Sequence, residues 1–237
     1  MSRIPPIFSC FEQNSLPAIK VRGSQQPHKL TSEEAMHELF PKIHDKTILK
    51  ALVELSKVEF ESDDIAYINS LGAKLSFKSG KEVINYLSAN GTKIKFDKTA
   101  VKGVFAQYNN KDNVIILSNK YSGSQDPAVI FAIAEAILHE SGHTKDKDSY
   151  NSVQEEIDNL ALNVLAHKYF LKNYPDAFKS STSPIVKDGV NIYADMFYSE
   201  DPEKKALVER LKQKYGHLPP GDVVHPASVL GLKVKSF

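Results

Sequence analysis

Between Ala128 and His143 the chain consists almost entirely of alanine and large aliphatic residues, until a short polar run closes the segment. Such a stretch has no polar stripe to offer water, so it reads as a helix buried on most sides. Asp126-Pro127 stands directly before it, an N-cap residue followed by proline at the first helical position. The segment is too short to span a bilayer and carries Glu135. A chain of 237 residues is long enough to bury one core, in a single domain of two lobes.

The flanking sequence divides into recognisable pieces. Residues 1–30 contain Pro5-Pro6 and Gly23-Ser24-Gln25-Gln26-Pro27 with little periodicity, and read as a flexible N-terminal arm. Residues 31–237 are expected to form one domain: a helical and β-rich N-terminal lobe over 31–126 and a helical C-terminal lobe over 127–237. Thr31-x-x-Glu34 is a capping box that starts a helix, and Pro41 interrupts it. A second helix is predicted from Asp45 to about Val58, apolar at Leu49, Leu52, Val53 and Leu55. Ile65 to Leu71 reads as helical up to Gly72, Ala73 to Phe77 as a short strand, and Lys81 to Ala89 as a helix closed by Asn90-Gly91. Lys93 to Phe96, Val104 to Tyr108 and Val114 to Ser118 read as strands. The last two flank Asn109-Asn110-Lys111-Asp112, a loop of hairpin composition. After the apolar helix and a polar connection, Ser152 to Leu171 is a further helix, apolar at Val153, Ile157, Leu160, Ala161, Val164 and Leu165. Pro202 to Tyr215 is expected to be another, followed by a loop-like ending.

Composition narrows the function classes. Thirty Lys+Arg against 29 Asp+Glu leave a formal charge of +1, which gives no reason to expect a nucleic-acid or anionic-membrane partner. The one cysteine, Cys10, excludes an intrachain disulfide and any cysteine-built metal site, and a free thiol fits a reducing compartment. The first residues hold no apolar run of signal-peptide length, and no apolar run anywhere is long enough to cross a membrane. The expected location is cytoplasmic, or exported by a route that leaves no recognisable signal.

The apolar segment ends in His139-Glu140-Ser141-Gly142-His143. Residues four apart on a helix project from one face, so two imidazoles at this spacing can share a zinc ion, each at about 2.0–2.1 Å. Glu140 is rotated away from the pair yet within reach of a water on the metal, the position of a general base in zinc hydrolysis. On a helix this apolar the histidines face the interior, where an unpartnered polar ring is costly. The other account of such rings is a bond to backbone carbonyls.

A third ligand is offered by Glu155-Glu156-Ile157-Asp158-Asn159 on the next helix. HExxH followed by E-x-x-x-(D/N) resembles the gluzincins, the thermolysin-type class of zinc peptidases, and in its short connection the compact minigluzincins and the ImmA/IrrE-type regulatory peptidases. The resemblance spans about residues 93–170. It implies an α+β, zincin-like fold: a twisted sheet packed on the HExxH helix, with a glutamate-bearing helix behind. Carried over, it makes His139 and His143 metal ligands, Glu140 the general base, Glu155 the third ligand and Asn159 its supporting partner. Ser152-x-x-Glu155 is also a capping box, and on that account Glu156 is the ligand. Zincins pair an extended substrate with an edge strand, for which Val114 to Ser118 is the candidate; its composition fits a buried sheet strand equally. His225, followed by Pro226, is similar to a late His-Pro of several gluzincin families and is the candidate for stabilising the oxyanion, with Tyr150, Tyr193 and His217 as alternatives. His28, His37, His44 and His167 receive no role. The expected activity is hydrolysis of peptide bonds in a peptide or protein substrate with zinc as cofactor. The rivals are a non-catalytic zinc-binding or interaction domain on the same fold, and a protease restricted to one partner protein.

Overall fold

The apolar segment is a helix, and the other elements are layered around it. In the computed structural model, which describes residues 30–99, 104–145, 151–188, 213 and 218, it runs from Pro127 to His143 and is the fifth α-helix, α5. Asp126 caps it, accepting from the Ala128 amide at 2.9 Å, and its second carboxylate oxygen accepts from Ser181 Oγ at 2.6 Å. From Ala128 onward only Ala132 and His139 fall short of full burial, as its composition requires. It packs against α2 (Lys46–Ser56), α6 (Val153–Asn173) and the sheet.

The capping signals act where they stand in the sequence. Thr31 and Glu34 exchange the two bonds of a capping box at the start of α1 (Ser32–Leu39). Asp45 accepts from Thr47 and Ile48 at the start of α2, which buries Ile48, Leu49, Leu52, Val53 and Leu55. α3 covers Ser62–Ser70 and α4 Gly80–Ala89. Gly80 begins α4 against the end of α2, and a Cβ there would sit 1.7 Å from the Leu55 carbonyl oxygen, so only glycine permits this approach. Two short helices, α7 (Pro175–Ser180) and α8 (Pro184–Asp188), follow α6 and pack on α5.

The sheet has three strands in the order β1-β3-β2. β1 (Lys93–Asp97) runs parallel to β3 (Val114–Ser118), and β2 (Ala106–Asn109) pairs with β3 antiparallel as a hairpin. The hairpin turns through Asn113 in the left-handed region at φ 48°, a conformation asparagine tolerates. The architecture is therefore mixed α+β.

Two expectations are corrected here. Val114 to Ser118 is not an edge: it lies between β1 and β2 and is buried at every residue, so its backbone groups are already paired within the sheet. The buried-strand account of this segment is the one that holds. Ala73 to Phe77 is not a strand either. Its backbone is bound by side chains instead: the Lys74 amide donates to Asp158 Oδ1 at 2.8 Å, and Lys145 Nζ donates to the Ser76 carbonyl. Ala73 and Phe77 are still buried, so the alternation was a packing signal without a strand partner. The helix expected over Pro202 to Tyr215 and the arm over residues 1–30 lie almost wholly outside the described residues. Among the described residues no helix is long and apolar enough to cross a membrane.

Candidate metal centre

α5 and α6 are antiparallel neighbours, and their facing polar residues meet at the last turn of α5. His139 and His143, one turn apart, place their ring centroids 5.2 Å apart at 64°. Glu156, in the first turn of α6, reaches both rings: its Oε2 is 3.6 Å from His139 Nε2 and its Oε1 is 3.7 Å from His143 Nε2. The three side chains present one ligand atom each within 4.8 Å of one another. Donors 2.0–2.1 Å from a tetrahedral zinc stand about 3.3 Å apart, so a small contraction brings these onto one ion. Two imidazoles and a carboxylate are a donor set that could hold a metal ion.

The ring nitrogen of His143 that faces away from this cluster is held separately. His143 Nδ1–H donates to Glu155 Oε1 at 2.6 Å, and the Asn159 amide lies 3.3 Å from the same nitrogen. Glu155 simultaneously caps α6: its amide donates to Ser152 Oγ at 3.0 Å, and its Oε2 accepts from the Ser152 amide at 3.4 Å. Of the two sequence alternatives for Glu155 the capping box is present; the residue expected as the third ligand stands beside the His143 ring and not in the three-residue cluster, which holds Glu156 instead. Adjacent helical residues point about 100° apart, so only one of the two glutamates can face Nε2. Asn159 likewise meets His143 and not Glu155.

The site is strongly anionic. Glu140 is buried, 8 % exposed, as is Glu156 at 7 %, and the Glu155 carboxylate stands against His143. Burial disfavours the charged His143 ring, yet the hydrogen bond to Glu155 and the charges of Glu140 and Glu156 outweigh it and push the imidazole up to about 9. Burial pulls Glu156 upward too, but His139, His143 and the Asn151 amide (3.1 Å) hold it below the ordinary carboxylate range. Several buried carboxylates around two imidazoles demand positive charge, because unbalanced buried anions are expensive. A divalent cation satisfies that demand as well as a proton does.

The end of α5 is clamped around this cluster. Tyr86 Oη donates to the Thr144 carbonyl at 3.0 Å, and Lys145 Nζ sits 3.8 Å over the Phe77 ring. Gly142 lies against Asn159, where a Cβ would fall 1.7 Å from Asn159 Oδ1. One turn before His139, Glu135 Oε1 pairs with His167 Nδ1 at 2.9 Å, both residues almost fully buried. Burial drives the Glu135 carboxyl upward and His167 only partly offsets this. His167 received no role from the sequence; the signal was Glu135, the lone acid in an apolar run.

His225 and its alternatives Tyr150, Tyr193 and His217 lie outside the described residues. No family model matches the chain, and no curated protein or solved structure matches it significantly.

Proposed function

We propose that the chain is a zinc-dependent peptidase with a zincin-like fold, in which His139, His143 and Glu156 hold the metal and Glu140 is the general base. The observation that carries this reading is the convergence of the two HExxH histidines and Glu156 within 4.8 Å in a buried, anionic setting. Glu156 replaces Glu155 as the third ligand because it is the carboxylate that faces both Nε2 atoms. Zinc bound there would supply Lewis-acid activation of a water and of a scissile carbonyl at neutral pH.

The protein's own residues would do the rest. Glu140 would take a proton from the attacking water and deliver it to the leaving amine nitrogen as the C–N bond breaks. Glu155 would accept from His143 Nδ1–H, which fixes the tautomer that leaves Nε2 free to bind metal. The substrate class is a peptide or protein.

The test is metal content with peptidase activity on an unfolded protein substrate. About one zinc per chain is expected, lost in His139→Ala and in His143→Ala. Glu140→Gln keeps its shape but cannot take a proton, so it should retain zinc and lose at least ~10²–10⁴-fold in rate. A folded parent that takes up no zinc, or full activity in Glu140→Gln, would rule the mechanism out.

A further inference from the structure

His143 has its outward ring nitrogen held by Glu155, but His139 has nothing comparable among the described residues: its Nδ1 is sealed from solvent with no hydrogen-bond partner. The same is true of Oδ1 of Asn163 on α6. Unpaired buried polar atoms are rare, and each costs the desolvation of its group. The helix register relates the two. Gly142 and His143 meet Asn159, while Glu135, eight residues back from His143 along α5, meets His167, eight residues forward from Asn159 along α6. Midway between these contacts, four residues from each, stand His139 on α5 and Asn163 on α6.

The chemistry of the two atoms is complementary. With a metal on Nε2, the nitrogen turned toward Glu156, Nδ1 of a neutral His139 would carry the proton and need an acceptor. An amide oxygen is one. We propose that Asn163 is the positioning residue of His139: its Oδ1 accepts from His139 Nδ1–H, through a small side-chain rotation or one buried water, and holds the ring with Nε2 aimed at the metal. A buried bridging water is suited to such a site because both flanking groups are polar and unsatisfied. The proposal rests on the zinc reading above and adds a residue that no motif in the sequence singles out. It also explains why a polar side chain recurs at four-residue spacing on this face of α6, at Asn159, Asn163 and His167.

The experiment is zinc affinity by chelator competition in the full chain, for Asn163→Ala, Asn163→Leu and Asn163→Asp, beside the thermal stability of each metal-free form. Loss of such a supporting bond costs about 10–100-fold in metal affinity, so the alanine and leucine variants should fall by that amount. A carboxylate is an acceptor of the same size as the amide it replaces. Asn163→Asp should therefore stay within about threefold of the parent, a rescue that a merely structural asparagine would not give. In zinc-loaded parent the Nδ1–H of His139 should exchange slowly in imidazole nitrogen NMR, and quickly in Asn163→Leu. Parent-like affinity in Asn163→Ala, or an Asn163→Asp as weak as Asn163→Ala, would overturn the role of Asn163 and leave the zinc site standing. Parent affinity retained in His139→Ala would instead bring down the zinc site, and this proposal with it.

Discussion

Glu155 and Glu156 differ by one position and do different work, because their side chains leave the helix about 100° apart. Glu156 faces Nε2 of both histidines, while Glu155 holds Nδ1 of one of them and caps α6. Substitution by glutamine separates the two. Glu156→Gln exchanges an anionic ligand for a neutral amide and should weaken zinc sharply. Glu155→Gln should weaken it by about 10–100-fold, as loss of a ligand's supporting bond does. It should leave the stability of the metal-free protein close to the parent's, because glutamine serves a capping box as glutamate does. Chelator competition and denaturation of the metal-free form measure both quantities, and equal zinc loss in the two variants would contradict this division. The pairing of His139 and His143 was legible in the sequence because an i, i+4 spacing fixes a shared face without any knowledge of the surroundings. The choice between two adjacent glutamates was not. It depends on how α6 is rotated against α5, and Ser152-x-x-Glu155 looks the same whether Glu155 also meets a histidine or not.

The α5–α6 pair is held in register by a close approach at Gly142, where the Asn159 amide occupies the space of a side chain. Gly142→Ala must therefore push the Asn159 side chain away or separate the helices, and overpacking of this kind costs about 1–3 kcal/mol. Removing the Asn159 amide relieves the overlap. The double variant Gly142→Ala, Asn159→Ala should lose clearly less stability than the two single variants added together. Denaturant unfolding of the four proteins completes the cycle, and simple additivity would show that Asn159 yields without strain. Element starts were legible wherever the signal is local: Thr31 with Glu34, Asp45, Asp126-Pro127, and Ser152 with Glu155 all cap the helices they precede. Placement in the sheet was not, since nothing within Val114 to Ser118 says which strands flank it. The segment Ala73 to Phe77 had a strand's alternation, but its backbone partners, Asp158 and Lys145, lie far along the chain.

At the scale of the whole molecule, a line of polar groups runs through an apolar core. α5 contributes Glu135, His139 and His143, and α6 contributes Glu156, Asn159, Asn163 and His167, while the flanks of both helices pack into hydrophobic clusters. Such a line is tolerated only if its charges are balanced, so occupancy of the site and stability of the fold must be linked. In the metal-free protein part of the balance comes from a proton on His143, held up to about 9 against an ordinary value of 6.5. A histidine whose folded value lies above its unfolded one stabilises the fold fully below pH 6.5, and that contribution disappears as pH rises through about 9. The metal-free protein should therefore lose stability progressively between those two values, by an amount on the order of a few kcal/mol. Zinc bound at the proposed site would have to displace the same proton, so its apparent affinity should climb over this window by up to about tenfold per pH unit and then level off. Saturating zinc at ~1,000 times its dissociation constant adds about 4 kcal/mol to the folded state. The gap between zinc-loaded and metal-free unfolding midpoints, measured at fixed free zinc from pH 6 to 9, should accordingly widen toward the alkaline end. A gap that is constant over that range would mean that His143 gives up no proton when the metal binds.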